Sequence, residues 1–292
     1  MTSLAERPQT ENPQTPQERA KALRQQIDGQ LDTLARAVDD VRASEMFQRY
    51  LEVQARFHRY SWHNTMLIAS QFPTASNVAG FQTWKKLGRF VRKGERGIAI
   101  FAPCPWKRTE TDDKGNEESR EGVYFKVVHV FDVSQTDGEA LPNLEIPDVE
   151  ALADGLLKSL ERVATKRGIR VNYVEMEAGH FGVSKGGAID IATGHPSGQQ
   201  AKTLAHELAH EALHRKDRPA GLTRNAAELE AESVAYVVCR HCGLDAEIRA
   251  SRYIALWGGD AQALRASLER IAEAARAIID DVEAQPAAKA VA

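Results

Sequence analysis

The sequence predicts an α+β protein of two domains, and three observations carry that expectation. The chain has 292 residues, of which 42% are hydrophobic and 27% charged, a globular composition in a chain too long for one small domain. Helical spacing gives way to β-rich runs in the first half, whereas the second half runs helix, short strands, then helices. Between the halves, Asp137 to Pro147 gathers Gly138, Pro142 and Pro147 with few large apolar groups, which marks a boundary. The expected division is a leader over 1–17, a first domain over 18–136, a linker over 137–147, a second domain over 148–284 and a tail over 285–292.

The leader holds Pro8, Pro13 and Pro16 and almost no apolar residues, so it reads as disordered and lacks the apolar stretch of a signal peptide. From Glu18, apolar residues Leu23, Ile27, Leu31, Leu34, Ala37 and Val41 recur at helical spacing, and Phe47, Leu51 and Ala55 continue after a break near Asp40. Asn64 is expected to cap a helix through Met66 to Phe72, stopped by Pro73; Phe81 to Leu87 is a short helix ending at Gly88. Gly97 to Ala102 and Gly122 to Val133 are β-rich, and the charged Thr109 to Glu121 between them reads as a hairpin tip. The second half begins with a helix over Asp148 to Lys166. Strands follow at Ile169 to Val174, Phe181 to Ser184 and Ala188 to Ala192, then helices near 197–215, 224–242, 245–256 and 260–283.

Charge is informative only when it is divided. The chain carries 38 basic and 41 acidic residues, a net −3 that argues against a nucleic-acid partner. Between Phe47 and Arg108, however, eleven Lys or Arg face only Glu52 and Glu95, so that window is +9 and the remainder −12. Three cysteines cannot build a disulfide framework, which points to a reduced, cytoplasmic protein. No apolar run approaches the ~18 residues of a membrane helix, so no membrane association is expected.

The most specific pattern is Thr203-Leu-Ala-His-Glu-Leu-Ala-His-Glu-Ala-Leu-His214. On a helix His206 and His210 share one face and can bind one Zn²⁺, with Glu207 one step round as general base. A catalytic site needs a third protein ligand. The metzincin extension would require Gly at 213 and His at 216, where this chain has Leu213 and Lys216. The next helix offers Glu228-Leu-Glu-Ala-Glu232 instead. Glu228 and Glu232 share a face while Glu230 points about 160° away. With Pro219 and Gly221 reversing the chain, Glu228 suits the third ligand and Glu232 an acceptor for a ligand histidine N–H. His214 lies one turn beyond His210, as a fourth ligand or a supporting histidine. Cys239-Arg-His-Cys242 lacks the second pair that a zinc ribbon needs, so both cysteines read as buried helix-end residues.

His206-Glu-Leu-Ala-His210 followed by Glu228-Leu-Glu-Ala-Glu232 resembles the zincin metallopeptidases with a glutamate third ligand, and more closely the ImmA/IrrE-like proteins and the C-terminal domain of ArdC-type antirestriction proteins. That resemblance implies Glu228 as the ligand, and Ala188 to Ile191 as an edge strand that holds an extended substrate. Tyr236, two turns beyond Glu228, reads equally as an oxyanion stabiliser or a core tyrosine.

The basic window interleaves Arg59, Lys85, Lys86, Arg89, Arg92, Lys93, Arg96 and Lys107 with Trp62, Phe81, Trp84, Phe90 and Trp106. Cations track phosphates and rings stack on bases without reading them, which is the chemistry of single-strand binding. Trp84 and Trp106 are the expected stacking tryptophans. Tyr60-Ser-Trp-His-Asn64, Gly80-Phe-Gln-Thr-Trp84, Gly88 to Gly97, Pro103-Cys-Pro-Trp106 and Phe131-Asp-Val-Ser-Gln135 resemble the N-terminal single-stranded-DNA-binding domain of ArdC-type proteins. ArdC proteins commonly carry Trp-Thr-Gly-His after the second histidine; this chain has Glu211-Ala-Leu-His214. The combined resemblance implies single-stranded DNA and an unidentified protein substrate as partners, with antirestriction protection of incoming plasmid or mobile-element DNA as the role. The alternatives are an ImmA/IrrE-like regulatory protease that cleaves a repressor in response to single-stranded DNA, and a DNA-binding protein whose metal is structural.

Overall fold

In the computed structural model the described residues are 15–36, 40–111, 117–141, 149–215, 219, 221–246 and 260–284. The expected leader up to 14, the hairpin tip at 112–116, most of the expected linker, most of the expected helix at 245–256 and the tail from 285 lie outside them. The fold is α+β, as expected from the alternation of periodicities.

The first half opens with α1 (Pro16–Ala35), α2 (Asp40–Arg56) and α3 (Trp62–Gln71). Thr15 caps α1 in a reciprocal arrangement with Glu18, and Leu23, Ile27, Leu31 and Leu34 form its buried stripe. The N-cap of α3 is Ser61, not Asn64. Asn64 instead turns toward the next sheet. The strands are β1 (Val78–Gly80), β2 (Arg89–Val91), β3 (Ile98–Thr111), β4 (Glu117–Asp132) and β5 (Thr136–Gly138), with α4 (Phe81–Lys86) between β1 and β2. β3 and β4 make a long antiparallel ribbon with β1 on the other side of β4, and β2 pairs separately with β5.

The helix–sheet junction in this half is made by side-chain amides. Asn64 exchanges hydrogen bonds with the backbone N–H and C=O of Phe101 at 2.9 and 2.8 Å, and Gln71 does the same with Ala99 at 2.9 Å each. Two amides on one helix thus pair with alternate residues of β3 as a neighbouring strand would, covering an edge that would otherwise be open. Asp132 is buried and accepts from the backbone N–H groups of Ser76, Asn77 and Ser134. Burial opposes its charge, but those hydrogen bonds prevail and hold its carboxyl below its ordinary range. Asp137 and Gly138, the first residues of the expected linker, belong to β5 and pair with Phe90 and Arg89.

The second half comprises α5 (Val149–Lys166), β6 (Arg170–Val174), β7 (Gly182–Ser184), β8 (Ala188–Ala192), α6 (Ser197–Leu213), α7 (Arg224–His241) and α8 (Ala261–Glu283). The sheet order is β6-β8-β7, parallel between β6 and β8 and antiparallel between β7 and β8. β8 is therefore central and buries Ile189 and Ile191, so the expectation of an edge strand at Ala188 to Ile191 is corrected: the strand edge beside α6 belongs to β7. The buried apolar residues of both halves join into one cluster, because α2 packs on α7 and α8 returns across α1 and α3. No helix among the described residues is long and apolar enough to cross a membrane.

Candidate functional site

α6 is held by burial of Leu204, Ala205, Leu208 and Ala209, which leaves the face bearing His206 and His210 toward α7. Leu229, Ala231, Val234 and Ala235 bury α7 and fix Glu228 and Glu232 opposite the two imidazoles. Three ligand atoms converge. His206 Nε2 and His210 Nε2 are 3.0 Å apart, and Glu228 Oε2 stands 3.5 Å from each. Ligands around a four-coordinate cation with bonds of ~2.0–2.1 Å stand about 3.3 Å from one another, so this triangle fits a small divalent cation.

The hydrogen bonds behind these atoms specify the tautomers. Glu232 lies 3.4 Å from His206 Nδ1 and is itself held by Lys202 at 2.6 Å. That leaves His206 Nε2 bare, toward the other ligands. On the other imidazole the support runs further. His210 Nδ1 is 2.9 Å from His214 Nδ1, and His214 Nε2 is 3.1 Å from Glu230 Oε2. The carboxylate can only accept, so His214 carries its proton on Nε2, accepts at Nδ1 from His210, and leaves His210 Nε2 bare.

Glu230 is fully buried and anchored by Ser267 at 2.6 Å and by Arg270 of α8. Burial opposes its charge, yet His214, Arg270 and Ser267 hold it below the usual carboxylate range. The residue that sequence geometry turns away from the metal face thus supports that face through His214. Tyr236 is a core side chain, 2% exposed. Burial pushes the Cys239 thiol up to about 12, so it is an inert core residue.

Glu207 lines the same cleft, and burial pushes its carboxyl up despite the nearby histidines. Its neighbour is the β7 edge. A Cβ on Gly182 would come within 2.5 Å of Thr203 Cγ2 and 3.3 Å of Glu207 Cγ, so only glycine allows the strand this close to α6. Glu211 fixes the strand from below: it accepts from Ser184 Oγ at 2.6 Å and from the backbone N–H groups of Gly186 and Gly187 at 2.8 and 2.9 Å. The sequence departure at Glu211 therefore has a local role, clamping the β7–β8 turn. The cleft between β7, α6 and α7 has a volume of about 880 Å³, room for an extended peptide segment.

The basic window divides into exposed and engaged residues. Lys85, Lys86, Lys93, Arg96 and Lys107 are exposed. Arg92 is drawn onto Glu95 at 2.7 Å and Asp137 at 3.4 Å, Arg89 donates to Thr136 and to the Glu139 carbonyl, and Arg59 pairs with Glu283 at 2.9 Å. Of the three, Arg89 is half-buried and drawn into the fold, while Arg92 and Arg59 form surface ion pairs and stay exposed. The expectation for Trp84 is corrected: it is 2% exposed and its Nε1–H donates to the Phe131 carbonyl at 2.9 Å, so its ring cannot stack on a base.

Trp106 is 42% exposed, lying over Gly122 across the ribbon, where a Cβ would approach its Nε1 to 2.9 Å. By register Tyr124 and Lys126 share its face, while Phe125 and Lys107 share the opposite one. Tyr124 and Phe125 are also exposed, and sequence reasoning missed them; their only sequence signal is an aromatic pair soon after Gly122 in a β-rich run.

Both halves of the chain are similar to known families. Residues 17–131 match the N-terminal domain of anti-restriction factor ArdC, and residues 164–275 match the IrrE N-terminal-like domain of the M78 peptidases. The chain thus joins an ArdC-like N-terminal domain to an IrrE-like domain, in the order expected. An uncharacterised protein of Bacillus anthracis is 28% identical over 274 residues, covering 78% of this chain and 46% of that protein. The chain therefore spans about half the length of that relative. An uncharacterised protein of Sinorhizobium fredii is 28% identical over 232 residues, covering 70% of each. Two crystal structures of the antirestriction ArdC protein from the R388 plasmid are also similar. The metal-free form has 22% identity and a TM-score of 0.49, covering 76% of this chain and 83% of that one; the Mn(II)-bound form has 21% and 0.47, covering 81% and 99%. In this architecture the basic window and ribbon belong to the ArdC domain, and the His206, His210 and Glu228 triangle to the IrrE-like domain.

Proposed function

We propose that the chain binds single-stranded DNA through its ArdC domain and hydrolyses peptide bonds in its IrrE-like domain with Zn²⁺ on His206, His210 and Glu228. The observation that carries the peptidase reading is the placement of buried Glu207 between that triangle and the β7 edge. A structural metal site has no use for a general base beside a strand that lines the same cleft. A bound cation supplies a Lewis acid at this position. The residues supply the rest. The Gly182–Ser184 backbone pairs with an extended substrate, and Glu207 takes a proton from the attacking water and returns it to the leaving amine.

DNA binding rests on the exposed cations Lys85, Lys86, Lys93, Arg96 and Lys107 and on the exposed ribbon aromatics, Trp106 and Tyr124 on one face and Phe125 on the other. In this reading the substrate is a protein met in the cytoplasm while plasmid DNA enters as a single strand, and cleaving or occluding it protects that DNA. The test is a peptide-library cleavage profile of the zinc-loaded chain and of Glu207→Gln, with and without single-stranded DNA. The expected result is cleavage by the first and none by the second, with equal DNA affinity. If both are inert and both shield DNA from nuclease, the metal is structural and the DNA-shielding alternative stands.

A further inference from the structure

Away from the cleft, three helix C-termini meet where the two halves of the molecule join. α2 ends at Arg56 just before His58, α7 ends at His241 and α8 ends at Glu283. One ring nitrogen of His58, one of His241 and a carboxylate oxygen of Glu283 all lie within 4.8 Å of one another. The negative ends of three helix dipoles converge with them, a field that favours a cation.

The hydrogen bonding points the same way. His58 is 6% exposed, and neither of its ring nitrogens has a hydrogen-bond partner. An unpaired imidazole at that depth is costly unless something else satisfies it. Its ring centroid is 4.3 Å from that of His241, and burial and the neighbouring His241 keep it below the usual imidazole range. His241 Nδ1 lies 2.9 Å from the Ala55 carbonyl, which can only accept, so Nδ1 bears the proton. His241 Nε2 then faces Glu283 Oε1 at 2.9 Å, carrying a second proton or directing its lone pair at a cation shared with the carboxylate. An imidazole that donates from Nδ1 to a backbone carbonyl while Nε2 faces other ligands is the arrangement of a metal-bound histidine. Asp280 Oδ1, 3.9 Å from His58 Nε2, is within reach as a fourth donor, and Arg59 occupies only the other Glu283 oxygen at 2.9 Å.

We infer that His58, His241 and Glu283 form a second divalent-cation site, suited by its imidazole and carboxylate donors to a zinc-class ion, that ties α2 of the ArdC domain to α7 and α8. It shares no ligand with the cleft triangle. The histidine inside Cys239-Arg-His-Cys242, which has no partner motif in the sequence, is then the ligand, flanked by buried Cys239 and half-buried Cys242.

The test is equilibrium dialysis of the full, metal-stripped chain against Zn²⁺, with Co²⁺ absorption as a reading of coordination. Wild type takes up two equivalents, and His58→Ala takes up one. Glu283→Gln, nearly isosteric and at the surface, does the same and guards against a folding defect at buried His58. His210→Ala retains one equivalent with a four-coordinate Co²⁺ spectrum, and adding Glu283→Gln weakens that ion at least tenfold. Uptake of a single equivalent by wild type, or of two by Glu283→Gln, overturns the inference and leaves an imidazole pair that only titrates.

Discussion

His214→Ala is expected to weaken metal binding in the cleft without removing a ligand. His214 joins His210 Nδ1 at 2.9 Å to buried Glu230 at 3.1 Å, so truncation frees the His210 ring to rotate and to adopt its other tautomer. Loss of such a supporting partner costs about 10–100-fold in metal affinity, or roughly 1.4–2.7 kcal/mol. Glu230 keeps Arg270 and Ser267, so its charge stays compensated. The metal-free fold then loses one hydrogen bond to a charged group, about 1.5–3 kcal/mol, rather than the ~3–5 kcal/mol of a broken buried ion pair. His214→Asn retains an acceptor near the Nδ1 position and should recover most of the affinity while sharing the stability loss. Chelator competition reads the first quantity and urea melts of the metal-free protein the second. If His214→Ala loses stability but keeps its metal affinity within twofold, His214 is a core residue and the relay is wrong.

Three further outcomes follow from other contacts. Gly182→Ala should destabilise by about 1–3 kcal/mol through the Thr203 methyl, and Thr203→Ser, which removes that methyl, should recover much of the loss in a thermal melt. Trp106→Ala should cost about 1–3 kcal/mol of single-strand affinity, whereas Trp84→Phe should leave DNA binding unchanged and lose about 1 kcal/mol of stability; fluorescence titration and melts separate them. Asp132 has a folded pKa below its ordinary 3.8, so its stabilisation is complete above that value and is lost as pH falls through the folded pKa. Asp132→Asn should therefore lower stability at neutral pH and flatten its decline below pH 3.8, as read by acid-dependent urea midpoints.

What the sequence conveyed depended on how local each determinant is. His206, His210, Glu228 and Glu232 sit at i, i+4 on consecutive helices, so spacing alone brings them to facing surfaces. Glu230 was turned away by the same rule, and correctly so; its role arises because Ser267 and Arg270 come from α8, some forty residues on, and because His214 reaches round the helix end. Both short strands are legible, but the resemblance puts the edge at Ala188–Ile191; that run is apolar because it is central, and three-residue Gly182–Ser184 carries no pattern that marks it as the edge. Trp84 and Trp106 share a charged window and could not be told apart; what separates them is that α4 seats Trp84 against the Phe131 carbonyl, while Trp106 stands on a ribbon with no cover.

α7 links these observations to the distal cluster. Glu228 opens its second turn and His241 is its last residue, thirteen positions on, which at 1.5 Å per residue is about 20 Å. Twelve of the helix side chains are buried, among them Val234, Ala235, Val237 and Val238, so the element is clamped along its length. A cation at His58, His241 and Glu283 would be too far from Glu228 to share coordination with the cleft, and its charge would be screened over that distance in salt. Any influence between the two must therefore be mechanical, through the position of α7 against α2. Chelation that empties only the distal site should lower stability and leave the spectrum of a cobalt ion in the cleft unchanged.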